Sequence, residues 1–150
     1  MHTDQWSNDI KKLHDLNGFT LASFTGASNL FGNEFKKFNT YDSAGVLFSK
    51  KLNIPCGIVT GENSKSVKRR GEKLKIEFIY TGVSNKVVVV EQLIQELNIK
   101  WEEVAYLGDD INDYELLLKV GLSACPQSAP EYIENIVNWK LKKHGGEGVF

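Results

Sequence analysis

Short apolar runs that alternate with segments of helical spacing are the feature that most constrains the fold of this chain. The runs are rich in aliphatic side chains, end at glycine, proline or charge, and cover residues 54–60, 76–80, 104–107 and 122–125. Such runs are typical of buried parallel strands. The segments between them fit helices over residues 43–51, 64–74, 85–97 and 113–120. The alternation predicts an α/β fold with a doubly wound, Rossmann-like and mostly parallel sheet flanked by helices.

Residues 87–90 are the hardest segment to assign, because four consecutive valines favour a strand through their β-branching. The apolar positions of the wider segment nevertheless recur at helical spacing: Val87, Val90, Ile94 and Leu97. Ser84 can cap a helix that begins just after it. We therefore predict a helix across the valines.

The amino-terminal part of the chain is predicted to add a strand and a hairpin to this core. We place the first strand at residues 10–13 and a β-hairpin flap at about residues 19–38, where Phe, Ser, Thr, Gly and Asn are frequent and turn signals recur. Residues 1–8 are predicted to be loosely ordered. At 150 residues, the chain is most simply one domain, residues 1–150.

Charge and hydropathy give no indication of a nucleic-acid or membrane partner, although charge says little by itself. The formal net charge of -1 gives no global attraction to nucleic acid or to an anionic membrane. No apolar stretch approaches the roughly 20 residues that span a bilayer, and the first residues lack the apolar core of a secretory signal. Two cysteines in apolar segments fit reduced thiols. We predict a cytoplasmic protein without nucleic-acid or membrane partners.

An acidic cluster follows the apolar run at residues 104–107. Gly108 is followed by Asp109, Asp110 and, within the same five residues, Asp113. Carboxylates crowded at the end of a buried strand repel one another, and a hard cation such as Mg²⁺ relieves that repulsion. An acidic helix start is an equally good interpretation, with Asp110 as the cap and Asp113 near the first-turn amides.

Polar groups also follow the other predicted strands. Asp15, Thr60 and Lys86 stand after apolar segments, as Asp109 does. Residues in this position converge at the carboxyl edge of an open α/β sheet. A carboxylate nucleophile, a hydroxyl, a fixed cation and a metal-binding carboxylate are the parts of phosphoryl transfer through an aspartyl-phosphate. Taken singly, Thr60 also fits a helix cap and Lys86 a solvated surface charge.

Together these residues resemble the motifs of a known family. The matching segments are residues 15–18, 60–61, 86 and 108–113, and the likeness extends to residues 32–45, 67–74 and 145–149. They resemble the four motifs of the haloacid dehalogenase superfamily, in the order found in its small capless phosphatases. The most similar branch dephosphorylates 2-keto-3-deoxy sugar acids such as Kdo 8-phosphate and KDN 9-phosphate.

The resemblance implies a role for each motif residue. It makes Asp15 the nucleophile and an Mg²⁺ ligand, Asp109 a second ligand, and the Asn17 backbone carbonyl a third. Thr60 and Lys86 would hold the transferring phosphoryl group. Asp113 would orient Lys86 or a water on the metal, and Asp110 would support the same loop. Sugar recognition would involve Thr40, Gly61, Glu62, Arg70 and Lys73, although Arg70 and Lys73 also fit a solvated helix face.

One departure from the family pattern concerns Asn17. The pattern is Asp-x-Asp-Gly, and its second Asp protonates the leaving oxygen and then activates water. An amide cannot transfer that proton, and general acid–base catalysis is typically worth about 10²–10⁴-fold. We therefore expect a phosphatase with weakened activity.

A second class of function fits the same residues. The resemblance implies a homotetramer, and phosphatase-like domains with degenerate motifs are attached to animal CMP-sialate synthetases. The alternative is therefore a catalytically impaired oligomerisation domain. A nucleotide- or phosphate-binding regulator ranks below both, because the chain has no Walker-type glycine loop.

Overall fold

A computed structural model describes residues 40–149 with their side chains and, as backbone alone, the short strands at residues 19–22, 27–28 and 34–35. The strands are β1 Phe19–Ala22, β2 Ala27–Ser28, β3 Glu34–Phe35, β4 Cys56–Val59, β5 Phe78–Tyr80, β6 Val104–Leu107, β7 Leu122–Cys125 and β8 Trp139–Lys140. The helices are α1 Asp42–Lys51, α2 Lys65–Lys73, α3 Lys86–Leu97, α4 Tyr114–Lys119 and α5 Glu131–Glu134.

Six of the strands form one parallel sheet in the order β5-β4-β1-β6-β7-β8. The chain adds β4 and β5 on one side of β1, then crosses over to add β6, β7 and β8 on the other side. The point where the strand order reverses therefore lies at β1, and the carboxyl ends of its neighbours β4 and β6 flank it. The predicted fold class, an α/β fold with a doubly wound and mostly parallel sheet, is confirmed.

The start of the predicted flap requires a correction. Residues 19–22 are paired with β4 and β6 in the middle of the main sheet, so they are a core strand and not part of a hairpin. The reason is visible in their composition, since Phe19-Thr-Leu-Ala22 is less polar than residues 10–13, where we predicted the first strand. Residues 1–18 lie outside the described part of the chain. The antiparallel pairing of β2 with β3 does fall within the predicted flap.

Helices cover both faces of the sheet and bury two separate clusters. On one face, Cys56 and Ile58 of β4 pack with Val46 of α1 and Val67 of α2. The larger cluster, on the opposite face, includes Val59 together with side chains of α3, β6 and α4. Because successive side chains of β4 point to opposite faces, one strand supplies both clusters.

The valine-rich segment forms α3, as the helical spacing predicts. Asn85, and not Ser84, caps it, by accepting a hydrogen bond from the Val88 amide at 3.2 Å. Asn98 ends the helix in the left-handed conformation, with φ 52°. Buried Val90 and Leu93 explain why helix prevails over β-branching, because packing on the sheet outweighs the small propensity difference.

The other predicted strands and helices all exist, with ends that shift by up to about two residues. The sequence reasoning missed α5 and β8, which are only four and two residues long and lack a readable period. Among the described residues, no helix has both the length and the apolarity that a membrane span requires.

Candidate functional site

The candidate site lies at the carboxyl edge of the sheet, where β4, β1 and β6 end side by side. Thr60 directly follows β4, Lys86 opens the helix after β5, and Asp109 follows β6 by one residue beyond Gly108. In open α/β sheets this edge, at the reversal of strand order, is where ligands bind.

Thr60 is held in a buried loop. Its backbone amide donates to the Tyr80 carbonyl at 2.9 Å, and its carbonyl accepts from the Val83 amide at 3.0 Å. The side-chain Oγ1 accepts a hydrogen bond from the Glu62 amide at 3.2 Å. The side chain is only 3% exposed. These contacts fix the hydroxyl at the edge of the site, and they tie the loop after β4 to the loop after β5.

Lys86 is the first residue of α3, yet its side chain is 6% exposed. The ammonium Nζ donates to Asp113 Oδ1 at 2.5 Å. A buried ammonium is costly unless it is paired and hydrogen-bonded. The structure therefore excludes the alternative in which Lys86 is a solvated surface charge.

Asp113 is the fully buried counterpart of that ammonium, with 0% of its side chain exposed. Its Oδ1 accepts from Lys86 and from the Tyr106 hydroxyl. Its Oδ2 accepts from the backbone amides of Asp109 and Asp110, each at 3.0 Å. One carboxylate thus holds both the loop after β6 and the cation on α3.

Asp110 has the local role that the helix-start interpretation predicts. Its Oδ1 accepts from the Ile111 amide at 2.7 Å and its Oδ2 from the Asn112 side chain at 3.2 Å. It therefore caps the short 3₁₀ turn Ile111–Asp113 that leads into α4. The helix-start interpretation therefore holds for Asp110, while a metal site at the cluster stays a prediction.

Asp109 is the carboxylate of this cluster that is available for a cation. Burial and the neighbouring carboxylates of Asp113 and Asp110 raise its pKa from the ordinary 3.8 to about 6, although Lys86 lowers it in part. A carboxylate placed where its own negative charge is disfavoured is a suitable ligand for Mg²⁺.

Metal ligands beyond Asp109 must come from elsewhere. Within the described side chains, residues 40–149, no group of three or more His, Cys, Asp or Glu could hold a metal ion. Mg²⁺ often takes only one or two protein carboxylates and keeps several waters. The other predicted ligands, Asp15 and Asn17, lie outside the described residues. Asp109 is therefore the one predicted Mg²⁺ ligand whose surroundings the structure describes.

The residues predicted for sugar recognition are mostly open to solvent. Thr40, Gly61, Glu62 and Lys73 are exposed. Arg70 is half-buried and its guanidinium donates to Ser43 Oγ at 2.8 Å, which links α2 to α1. No described contact joins these side chains to Lys86 or Asp109, so a substrate contact for them remains a prediction.

Sequence reasoning missed Tyr106 as a member of the site. Its place in the apolar run 104–107 indicates a core residue, and the side chain is indeed 1% exposed. The available signal was its hydroxyl, a polar group in an otherwise apolar strand.

Comparison with known proteins connects this site to a family. The family of haloacid dehalogenase-like hydrolases matches residues 61–150. This is more than half of the chain and includes the loops after β4, β5 and β6. The chain belongs to the haloacid dehalogenase-like hydrolases. The resemblance inferred from the motifs is thereby confirmed.

One relative and one solved structure carry the same description. The 3-deoxy-D-manno-octulosonate 8-phosphate phosphatase of Salmonella typhi is 36% identical over 117 residues, which cover 78% of this chain and 62% of that protein. The match thus spans less than two thirds of that relative. The crystal structure of the phosphatase of the same description from Yersinia pestis has a TM-score of 0.83 at 27% identity, covering 95% of this chain and 80% of that one.

A second solved structure contains ligands. The Moraxella catarrhalis 3-deoxy-D-manno-octulosonate 8-phosphate phosphatase was solved with a magnesium ion, a phosphate ion and a KDO molecule. Its TM-score is 0.83 at 26% identity, with 95% of this chain and 86% of that chain covered. Magnesium and phosphate are thus found together in a protein of this fold.

Proposed function

We propose that this chain is an Mg²⁺-dependent phosphatase that hydrolyses the phosphate monoester of a 2-keto-3-deoxy sugar acid through an aspartyl-phosphate. KDN 9-phosphate and Kdo 8-phosphate are the proposed substrates. The observation that carries the proposal is the buried Lys86–Asp113 pair beside Asp109, at the edge of the sheet where the strand order reverses.

The chemistry of that edge suits a phosphoryl group. A transferring phosphoryl group spreads negative charge over three oxygens, which fixed cations and donors stabilise. Lys86 would supply a fixed positive charge, because Asp113 restrains its ammonium. Thr60 would supply a hydroxyl donor. Mg²⁺, held by Asp109, would neutralise further charge on the phosphoryl oxygens.

Recognition of the sugar acid is proposed for residues near the loop after β4. Glu62 and Lys73 would contact the sugar hydroxyls, and Arg70 and Thr40 would meet its other polar groups. Arg70 offers a planar set of donors suited to a carboxylate. The Kdo 8-phosphate phosphatases among the relatives support this substrate class.

Hydrolysis depends on the first motif. On the resemblance, Asp15 would attack the phosphorus, and the phosphoryl group would pass from the substrate oxygen to its carboxylate. Asn17 would then hydrogen-bond the leaving oxygen but could not protonate it. We therefore propose slow turnover.

The alternative is a phosphatase-like oligomerisation domain without turnover, and the position of β1 favours it. β1 ends at Ala22, and Asp15 comes four residues before β1 begins. A nucleophile of this family is expected directly after the central strand, where the sequence instead continues Ser23-Phe24-Thr25-Gly26.

The assay that separates these functions measures phosphate release and phosphate binding on the same preparation. KDN 9-phosphate, Kdo 8-phosphate and an aryl phosphate are tested with Mg²⁺ and with chelator, using the chain as given and Asn17→Asp. Orthophosphate affinity is measured by calorimetry in the same buffers. We expect Mg²⁺-dependent binding, slow release with a sugar-acid phosphate, and faster release by Asn17→Asp.

Other outcomes choose between the candidates. Mg²⁺-dependent binding without release by either form would exclude catalysis and leave the domain without turnover. The absence of both binding and release would refute the phosphatase proposal and its metal site together.

We also propose a homotetramer in the cytoplasm. The resemblance supports the assembly, and the two free, buried cysteines suit a reducing compartment. Light scattering coupled to gel filtration measures the mass. A monomer at micromolar concentration would contradict the assembly without affecting the proposed chemistry.

A further inference from the structure

The buried hydroxyl of Tyr106 has no role in the chemistry proposed above. It donates a hydrogen bond to Asp113 Oδ1, and Lys86 Nζ lies 3.5 Å from the same hydroxyl. Three side chains from β6, α3 and the turn before α4 therefore meet at one point. A buried tyrosine hydroxyl usually has a hydrogen-bond partner. Here the partner is the Asp113 carboxylate, which also holds the Lys86 ammonium.

The hydrogen bonds of Asp113 show what the tyrosine hydroxyl does. Two donors, Lys86 and Tyr106, meet Oδ1, and two backbone amides, those of Asp109 and Asp110, meet Oδ2. Rotation of the carboxylate would change both sets at once. Tyr106 is the uncharged donor on Oδ1, and it comes from a rigid central strand of the sheet.

Close packing keeps this arrangement in place. A methyl group added at Gly108 would come within 2.6 Å of Asp113 Cγ and 2.8 Å of Tyr106 Cε1. Such contacts are much shorter than van der Waals distance, so only glycine lets the backbone approach both side chains here. The tyrosine ring and the aspartate thus share one tightly filled space.

We infer that Tyr106 is a positioning residue, whose hydroxyl sets the orientation of Asp113 and through it the place of the Lys86 ammonium and of the Asp109–Asp110 backbone. The inference rests on the proposed function, in which Lys86 and Asp109 hold phosphate and Mg²⁺. Tyr106 itself contacts neither ligand in this scheme. Its hydroxyl restrains the rotation of the Asp113 carboxylate. Such a rotation would separate the Lys86 ammonium from the loop that contains Asp109 and Asp110.

Tyr106→Phe tests the inference because it removes the hydroxyl and keeps the buried ring. Tyr132→Phe is the matched control, since Tyr132 lies on α5 and is 46% exposed. Calorimetry measures orthophosphate affinity in the presence of Mg²⁺ for the full chain and both variants. We expect Tyr106→Phe to bind phosphate about tenfold more weakly, the size expected for one lost hydrogen bond to a charged group. Tyr132→Phe should match the unaltered chain.

A second measurement does not depend on phosphate. Amide hydrogen exchange by NMR reports the two bonds from Asp109 and Asp110 to Asp113. We expect both amides to exchange faster in Tyr106→Phe, by about tenfold, while the amides of β6 keep their protection. A merely structural role would instead lower the protection of β6 as a whole.

The outcomes separate this inference from the proposed function. If the unaltered chain binds phosphate and Tyr106→Phe leaves either affinity or the two amides unchanged, the inference is overturned and the proposed function stands. If the unaltered chain does not bind phosphate, the proposed function fails. In that case the exchange of the Asp109 and Asp110 amides tests the inference by itself. Faster exchange in Tyr106→Phe supports the positioning of Asp113 by Tyr106, and unchanged exchange overturns it.

Discussion

The carboxyl ends of β6 and β1 are neighbours in the sheet, yet the sequences that follow them differ in chemistry. Leu107 of β6 pairs with Ala22 of β1. After Leu107 come Gly108, Asp109 and the Asp113 network, whereas the first carboxylate in the sequence after Ala22 is Glu34. The family match, over residues 61–150, includes β6 and does not include β1. The comparison teaches that two adjacent strand ends of one sheet can differ sharply in the charge that follows them. Under the proposed function, this difference separates a phosphate-binding end from one that lacks hydrolytic groups.

The largest expected effect comes from restoring carboxylates after β1. Because β1 ends at Ala22, we expect Ser23→Asp with Thr25→Asp to raise phosphate release more than Asn17→Asp does. A functional general acid is worth about 10²–10⁴-fold, which sets the size of the gain. Release of phosphate from an aryl phosphate with Mg²⁺ is the measurement. A gain from Asn17→Asp that equals or exceeds the gain from the double variant would contradict the comparison, because it would favour the motif before β1 as the position of the nucleophile.

The next effect concerns the buried pair on the β6 side. Lys86→Met leaves Asp113 charged and buried without its cation, which we expect to cost about 3–5 kcal/mol of unfolding free energy. Urea unfolding measures this loss, and calorimetry should show that phosphate binding with Mg²⁺ is lost. Lys68→Met is the control, because Lys68 is exposed on α2. A stable Lys86→Met variant that still binds phosphate would show that the pair is not the centre of the site.

A smaller effect tests the close approach at Gly108. Gly108→Ala should lower the unfolding free energy by about 1–3 kcal/mol, the cost of overpacking a filled core position. The double variant with Asp113→Gly should lose less than the sum of the single losses, because it removes both the Cγ at 2.6 Å and the Cβ at 2.7 Å from the added methyl group. If the losses of unfolding free energy in the two single variants add up to that of the double variant, the strain in Gly108→Ala does not come from contact with Asp113.

The smallest effect is the pH dependence of the metal-free chain. With its pKa raised to about 6, Asp109 keeps a proton in the folded chain that the unfolded chain releases near 3.8. The unfolding free energy should therefore fall as pH rises from about 4 to about 6, by about 1–2 kcal/mol, and this fall should be absent in Asp109→Asn. Mg²⁺ should offset the loss above pH 6, because it binds the deprotonated carboxylate. An unfolding free energy that rises between pH 4 and pH 6 relative to Asp109→Asn would contradict the raised pKa of Asp109.

Much of the fold was predictable because its signals are local. The apolar run 104–107 and its boundaries are read directly from hydropathy, and β6 occupies those four residues. The helix across residues 87–90 followed from spacing alone. The central strand is the exception: residues 10–13 precede the first motif and so indicate a strand there. The pairing of residues 19–22 with β4 and β6 is a long-range contact that no local pattern reports.

The candidate site was predictable to a similar extent. Thr60, Lys86 and Asp109 could be identified as residues that follow strands, and the structure places all three at one edge of the sheet. The separate roles of the three carboxylates could not be predicted, because Asp109, Asp110 and Asp113 are the same residue type and differ only in their tertiary contacts. Tyr106 had the pattern of a core residue.

The sequence by itself determined the α/β class, most of the strands and helices, and the residue types available at the carboxyl edge, because hydrophobic period and chain order are local properties. The tertiary structure alone decided which strand is central and which side chains pair. Burial decides both. Lys86 pairs with Asp113 because neither charge could remain unpaired at 6% and 0% exposure, and residues 19–22 become β1 because a strand between β4 and β6 must be apolar on both faces.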